Sequence, residues 1–497
     1  MDAPEPSPVT QPPARPRGRA RALLRRHAAA GLFALALLAG LGVRARVGYG
    51  WTFQGSDSWA YTGAAMELWQ HHRFAIRSAP WLRASPREVP PPAYGRLPVY
   101  PLLLAAAVRP VGDCYDCFPG PAKALQWLLD LGTCVLVFLI ARRLGGRWAA
   151  WPAFGLALLH PGLILYSNAI LTETTATFLV TLTVALVVCS LDPGLPARRA
   201  RWMLLLAGAA GALATLTRID CVLVLVCLAV PFFWPHPGVK RRVALLGLGV
   251  FALCYSPWPL RNLAAVGAPH AFGGACDVRG REMQHTAFFG WFATWLERED
   301  QTTGTLYCLL RPGCRDTIAS YPLEAFDSPA ERTRLAQLFN LRAARGLGPE
   351  TDAGFRALTR ERVRRHPLRS FVTLPLTRAY QQWTSRADQP LRATAPHAPW
   401  PAVTAVVGSH LREVGIALAG LALAGLVALL LRRGPPRALG LLLASVILAR
   451  SAAFALIGFV DARYLLEVIP CVAALAGAAI GLAVAAVARL RRAGASP

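Results

Sequence analysis

Residues 122–147 read AKALQWLLDLGTCVLVFLIARRLGGR, a mostly apolar run that closes on Arg142, Arg143 and Arg147. A helix needs about 20 apolar residues to cross a bilayer. Lys and Arg gather in loops that stay on the cytoplasmic side. The same pattern of apolar run and basic triplet recurs along the chain. Candidate spans lie near 28–44, 122–141, 148–166, 174–191, 202–217, 220–235, 243–259, 413–431, 438–458 and 464–488. The N-terminal tail carries Arg15, Arg17, Arg19, Arg21, Arg25 and Arg26, which places it inside. Alternating from there, the inside loops hold Arg198, Arg199 and Arg201, then Lys240, Arg241 and Arg242, then Arg432, Arg433 and Arg437, and finally Arg489, Arg491 and Arg492. Both termini are expected in the cytoplasm.

The composition agrees. The chain has 497 residues, 54% hydrophobic and 16% charged, with mean hydropathy +0.38. Soluble domains run at about 45–50% apolar and about 25% charged. A simple soluble enzyme and a disordered protein are therefore excluded. A net charge of +26 can signal nucleic acid, but here the cations sit between apolar runs and act as topology determinants, so no nucleic-acid partner is expected. The expected fold is an all-α polytopic membrane protein of about ten transmembrane helices. Residues 1–27 form a basic, disordered tail. Residues 28–260 form the transmembrane core with a long first outer loop, 45–121. Residues 261–412 form an outer-face segment, and 413–497 the last helices with a basic tail. The first run lacks a small-residue cleavage site and is followed by Arg44 and Arg46, so it reads as a retained anchor.

Chemistry is expected in the two long outer segments, because loops on a rigid scaffold carry function. Residues 98–109 are apolar but too short to span, and read as an interfacial or re-entrant helix. In the second segment, 352–365 is Arg-rich and helical. His366 to Trp383 interleaves apolar residues with Arg369 and Arg378, as an amphipathic interfacial helix does. The whole reads as a small helical cap. Of eleven cysteines, Cys134, Cys189, Cys221, Cys227, Cys254 and Cys471 fall in or beside spans as packing residues. Cys114, Cys117, Cys276, Cys308 and Cys314 lie outside, where disulfides persist. Cys114 and Cys117 form a lone CxxC that suits a disulfide, free thiols, or a redox or zinc role. Cys308 and Cys314 suit a second bridge.

Ionisable residues at membrane depth are costly and mark function. Asp57 stands in GSDSWAY (55–61), and Glu173 ends YSNAILTE (166–173). Either can be a helix N-terminal acid or a functional carboxylate. Arg96 in YGRLPVYP (94–101) suits a phosphate ligand or an interfacial anchor. Arg218 and Arg261 lie on the outer side against the positive-inside tendency, and Asp220 can pair with Arg218. Arg463 and Tyr464 follow Asp461, and Arg450 lies inside the ninth span, facing the protein interior. Acids and cations thus gather on one face. Arginines hold phosphate by charge-assisted hydrogen bonds, and a carboxylate acts as general base toward a hydroxyl or amine. No P-loop, GxSxG, HExxH or GxGxxG in a βαβ setting is present, so nucleotide-driven and soluble hydrolase chemistry has no support.

Taken in order, these segments resemble the membrane GT-C glycosyltransferases, specifically the glycosyltransferase 39-like proteins related to protein O-mannosyltransferases and to the lipid A aminoarabinose transferase. The resemblance runs over 28–270 and the last span, through DSWAY (57–61), GRLPVYPL (95–102), ARRLGG (141–146), LTR (216–218), PWPLRN (257–262) and ARY (462–464). Leu97 stands where the family's basic-Pro-Pro pattern has its first Pro, and Glu173 where many relatives have Asp. The resemblance implies a GT-C-like bundle in the plasma (inner) membrane. It implies transfer of a sugar from a polyprenyl-phosphate donor to a lipid, glycan or protein acceptor on the outer, periplasmic face. By resemblance, Asp57 is the catalytic base or an acceptor-orienting carboxylate, and Glu173 a second acidic site that helps orient the acceptor or a metal. Arg96, Arg218, Arg261, Arg463 and Tyr464 are donor-phosphate contacts. The acidic pair could bind a divalent cation, but no cluster demands one. A lipid or sugar transporter is the alternative. Transporters often show paired halves with interrupted helices near the midplane; here no paired halves are visible, and the polar residues sit at one face rather than the midplane. A non-catalytic envelope scaffold is a third class, and it predicts that Asp57 is dispensable.

Overall fold

The computed structural model describes residues 16–49, 56–75, 95–109, 118–233, 241–267, 286–298, 301, 318, 321–345, 349–385, 401–458 and 460–493. Their regular structure is helical, with no β-strand. In chain order come α1 (Pro16–Gly48), α2 (Ser56–His71), α3 (Val99–Val108), α4 (Pro119–Gly145), α5 (Arg147–Leu158), α6 (Pro161–Tyr166), α7 (Glu173–Ser190) and α8 (Ala197–Thr215). A 3-10 turn (Ile219–Val224) leads into α9 (Leu225–Phe233), α10 (Arg241–Tyr255) and α11 (Pro257–Val266). Then follow α12 (Thr286–Phe292), α13 (Pro329–Arg345), α14 (Pro349–Arg365), a π-helical turn (Arg369–Thr373) and α15 (Leu374–Thr384). The chain closes with α16 (Pro401–Leu430), α17 (Pro435–Ile457), a 3-10 turn (Ala462–Val468) and α18 (Ile469–Ala493).

Seven helical stretches among the described residues are long and apolar enough to cross a membrane: 27–48, 119–145, 173–190, 241–265, 410–430, 435–457 and 462–491. The other three expected spans are helical but shorter or more polar. The run 148–166 breaks between α5 and α6 at His160 and Pro161, where Pro lacks the N–H that a continuing helix needs. The first turn of α8 carries Arg198 and Arg199, with Arg201 one residue on. The run 220–235 starts as a 3-10 turn and leaves only the short α9.

The core joins α4, α5, α7 and α18, with α8 on α7 and α10 on α8. Small residues set the spacing. A Cβ on Gly208 would stand 2.0 Å from the Gly247 carbonyl oxygen, so α8 and α10 touch backbone to backbone. Gly477 and Gly481 press in the same way on the α5 backbone at Ala149. Four-residue spacing of small residues lets membrane helices approach closely. We expect Gly208→Val to force α8 from α10 and to cost about 1–3 kcal/mol, the usual range for overpacking. A melting temperature in detergent unchanged from wild type would contradict this contact.

Polar side chains tie the first helix to the rest. Arg44 is fully buried in α1, and its Nε donates to Asp130 Oδ2 of α4 at 2.6 Å. One Nη of Arg44 donates to the carbonyls of Gly40 and Leu158. Nearby, Gln126 Nε2 donates to the Ser167 and Ala169 carbonyls, and its Oε1 accepts from the Tyr100 hydroxyl at 2.6 Å. This network fixes α3 and the bend after α6 against α4.

Residues 286–365 contain a small aromatic core of their own among the described residues. Phe288, Trp291, Phe292, Trp295, Tyr321, Phe339 and Phe355 are buried together. Arg362 is buried beside them, paired with Glu331 at 2.9 Å and Asp327 at 3.0 Å. Arg378 of α15 docks this unit on the spans. Its guanidinium donates to the carbonyls of Ala293, Leu296 and Ala455, the last at the end of α17. Leu368, Phe371, Val372, Leu376 and Tyr380 form an exposed apolar stripe along the π turn and α15. Cys134, Cys189, Cys221, Cys227, Cys254 and Cys471 are free thiols. The readings for Cys114, Cys117, Cys276, Cys308 and Cys314 lie outside the described residues.

Candidate functional site

Five separate stretches bring charged side chains to one end of the bundle. They are the start of α2, the turn before α3, the start of α7, the turn after α8, and the 3-10 turn before α18. Each is a helix end or a turn beside one, where backbone groups lack partners.

Asp57, in the first turn of α2, is ion-paired to Arg96 at 2.5 Å. Both are part-exposed, Asp57 at 40% and Arg96 at 31%. The Arg96 guanidinium also lies over the Tyr61 ring, 5.1 Å from its centroid. Tyr61 is one helical turn on from Asp57, so α2 presents the acid and the ring on one face. The Arg96 charge holds the Asp57 carboxyl below its usual range, against the upward push of burial, and Arg463 and Arg218 add to the lowering. That effect links Asp57 electrostatically to the two other arginines. For Arg96, burial works against the cation, but Asp57 and Tyr61 outweigh it and raise its pKa.

Glu173 opens α7 and is buried. It accepts from Arg218 Nη1 at 3.0 Å, and the same nitrogen donates to Thr172 Oγ1 at 3.2 Å. Arg218 Nε lies 3.2 Å from both Asp220 and Glu467. The Arg218 guanidinium rests 5.2 Å from the Tyr464 ring centroid. Arg463 pairs with Asp461 at 2.8 Å and donates to the Tyr464 hydroxyl at 3.0 Å. Asp461 also accepts from the Arg463 backbone N–H, so the acid shapes the turn as well as the charge.

Of the residues expected from sequence, Asp57, Glu173, Arg96, Arg218, Arg463 and Tyr464 are thus brought into one charged cluster. Arg261 stands on a different patch. Its guanidinium lies over the Phe74 and Trp258 rings and donates to the Phe74 carbonyl at 3.1 Å. It holds the chain after α2 against α11. The pairing of Asp220 with Arg218 and the inward position of Arg450 are both present. Sequence reading passed over Tyr61 and Glu467. Glu467 had a signal: it is a lone acid in the apolar run LLEVI (465–469), next to Arg463.

Asp220, Cys221 and Glu467 offer ligand atoms within 4.8 Å of one another, close enough to share a metal ion. The charges there do not suit one. Arg450 Nη2 already stands 2.5 Å from Asp220 Oδ2 and 2.8 Å from Glu467 Oε2. Arg218 neutralises the same two acids from the other side. Guanidinium groups fill the role that a cation would take.

Comparison with known proteins adds the following. Residues 122–249, about a quarter of the chain, match the family model of dolichyl-phosphate-mannose-protein mannosyltransferases. That stretch lies within 28–270, where the sequence resembles the O-mannosyltransferase group. A comparison with curated protein sequences finds no match. Among solved structures, the archaeal oligosaccharyltransferase AglB from Archaeoglobus fulgidus, in complex with an inhibitory peptide and a dolichol-phosphate, is similar at 14% identity and a TM-score of 0.49 over 93% of this chain. The chain spans about half the length of that protein, 51%. ArnT from Cupriavidus metallidurans is similar in the apo state at 18% identity and a TM-score of 0.42, over 92% of this chain and 78% of that one. Its form bound to undecaprenyl phosphate is similar at 16% identity and a TM-score of 0.42, over 91% and 78%.

Proposed function

We propose that this chain is a membrane glycosyltransferase. It moves a sugar from a polyprenyl-phosphate donor to a lipid, glycan or protein acceptor at the outer face of the membrane. The observation that carries this reading is the Asp57–Arg96 ion pair, joined from segments far apart in the chain, with the charges of Arg463 and Arg218 acting on the same carboxyl. The family match at 122–249, to dolichyl-phosphate-mannose-protein mannosyltransferases, supports a polyprenyl-phosphate sugar as the donor class. The basic triplets at the opposite end of the bundle favour a cytoplasmic side there, and so an outer-face site here.

Asp57 takes the proton of the acceptor hydroxyl or amine. The freed lone pair attacks the sugar's anomeric carbon. The bond from that carbon to the phosphate oxygen breaks, and polyprenyl phosphate leaves with the electron pair. Stereochemistry inverts. Arg96 and Arg463 are the more exposed of the three cations and meet the charge that grows on the phosphate. Stabilising charge where it develops is the largest lever on such a barrier. Arg96 releases Asp57 as the phosphate enters, so donor binding frees the base. Glu173 orients Arg218. No step runs through a metal.

The test is release of polyprenyl phosphate from labelled polyprenyl-phosphate sugars by purified protein in proteoliposomes, with envelope extract as acceptor. Release with transfer of label to the extract is expected. Protein that binds these lipids and cleaves none, with acceptor present, overturns the reading in favour of transport or scaffolding. Arg463→Gln is expected to weaken donor binding by about tenfold, since a hydrogen bond to a charged group contributes about 1.5–3 kcal/mol. An unchanged donor KM would remove Arg463 from the phosphate site.

A further inference from the structure

Behind the cluster lies a second charged layer that touches no substrate in the proposed reaction. Arg450 sits within α17 and is 3% exposed. Its Nη2 meets both Asp220 and Glu467, its Nε donates to the Tyr464 carbonyl at 2.5 Å, and its guanidinium lies 5.2 Å from the Phe454 ring centroid. Phe454 in turn stacks flat on the Tyr464 ring at 4.6 Å. Arg450 therefore controls three things at once: the two carboxylates that hold Arg218, the backbone of Tyr464, and the plane of the ring beneath Arg218 and Arg463.

We infer that Arg450 is a positioning residue that aims Arg218 and Arg463 at the donor phosphate by fixing Asp220, Glu467 and Tyr464. The inference rests on the proposed function and names the residue that arranges that site from behind. The charges give the reason. Three carboxylates, Glu173 and Glu467 buried and Asp220 18% exposed, share two guanidinium groups, Arg218 and Arg450. Among the described residues, the Glu467 carboxylate meets only those two cations and has no hydrogen-bond donor of good geometry. A buried charge that loses its partner is strongly unfavourable. Without Arg450, all three acids would draw on Arg218 and turn it away from the phosphate. A planar fork is needed to reach two carboxylates and a carbonyl together, and Lys is a point charge that reaches fewer.

The experiment compares wild type, Arg450→Lys and Arg450→Gln in proteoliposomes. It reads KM for the polyprenyl-phosphate sugar, KM for the acceptor, kcat, and the equilibrium affinity for polyprenyl phosphate alone. Arg450→Gln is expected to raise donor KM and weaken polyprenyl phosphate binding about tenfold or more. Acceptor KM stays in place, and Arg450→Lys falls between. A purely structural role would lower the yield of folded protein and leave donor KM per folded molecule unchanged, and that result overturns the proposal. If Arg450→Gln does not fold, Arg450→Lys and Glu467→Gln carry the same readouts. If wild type binds polyprenyl phosphate but transfers no sugar, the functional reading fails. The affinity series then still decides the positioning role: a graded loss supports it, and equal affinities overturn it.

Discussion

Replacing Asp57 by Asn should lower sugar transfer by roughly 10²–10⁴-fold, the usual contribution of a general base, while polyprenyl phosphate still binds. Asn keeps the shape and can still face Arg96 but cannot take a proton. The pH dependence gives a sharper check. The base works ionised, and the Arg96 charge holds the Asp57 carboxyl below its ordinary value of 3.8. Activity should therefore stay flat as pH falls through the normal carboxylate range, with the acid limb lying beneath it. In Arg96→Gln the main lowering influence is gone and burial still pushes upward. The acid limb of kcat/KM should then move to higher pH, on top of a lower rate from the lost phosphate contact. A limb that stays in place in Arg96→Gln would show that Asp57 is not the titrating base. Full transfer by Asp57→Asn would remove it from the chemistry altogether.

The largest stability effect is expected at Arg44 and Asp130. Both side chains are essentially without solvent contact, 0% and 2% exposed. Removing one partner leaves the other charged and buried, which costs about 3–5 kcal/mol. Asp130→Leu should be as damaging as Arg44→Leu, although neither residue touches the proposed site. The double replacement should recover much of the loss, because a buried ion pair exchanged for apolar packing is often neutral. Arg44 also donates to the Gly40 and Leu158 carbonyls, so recovery stays incomplete. Unfolding of the purified protein, followed by tryptophan fluorescence across the four variants, measures the coupling. Additive losses would mean that the pair contributes nothing as a pair.

The apolar runs and their basic ends determined the helical, membrane-crossing class, because hydrocarbon accepts only backbone that satisfies its own hydrogen bonds. Local pattern also exposed Asp57, Glu173, Arg96, Arg218, Arg463 and Tyr464, since charge beside a membrane wall stands out against its neighbours. Arg261 gave the same signal, but the fold set its guanidinium on Phe74 and Trp258 instead. Sequence alone does not separate a cation that serves a cluster of acids from one that pins a loop to a helix. Hydropathy also read 148–166 as one span, while the chain breaks at His160 and Pro161. That break is a local event that a windowed average conceals.

What only the tertiary structure decided is which charge faces which. Asp220, Arg450 and Glu467 lie up to 247 positions apart, yet they form one buried layer behind the site. Side chains so distant in sequence share no local pattern. The packing of α17 against the two 3-10 turns, Ile219–Val224 and Ala462–Val468, brings them within hydrogen-bonding distance. There the high cost of an unpaired buried charge selects their arrangement.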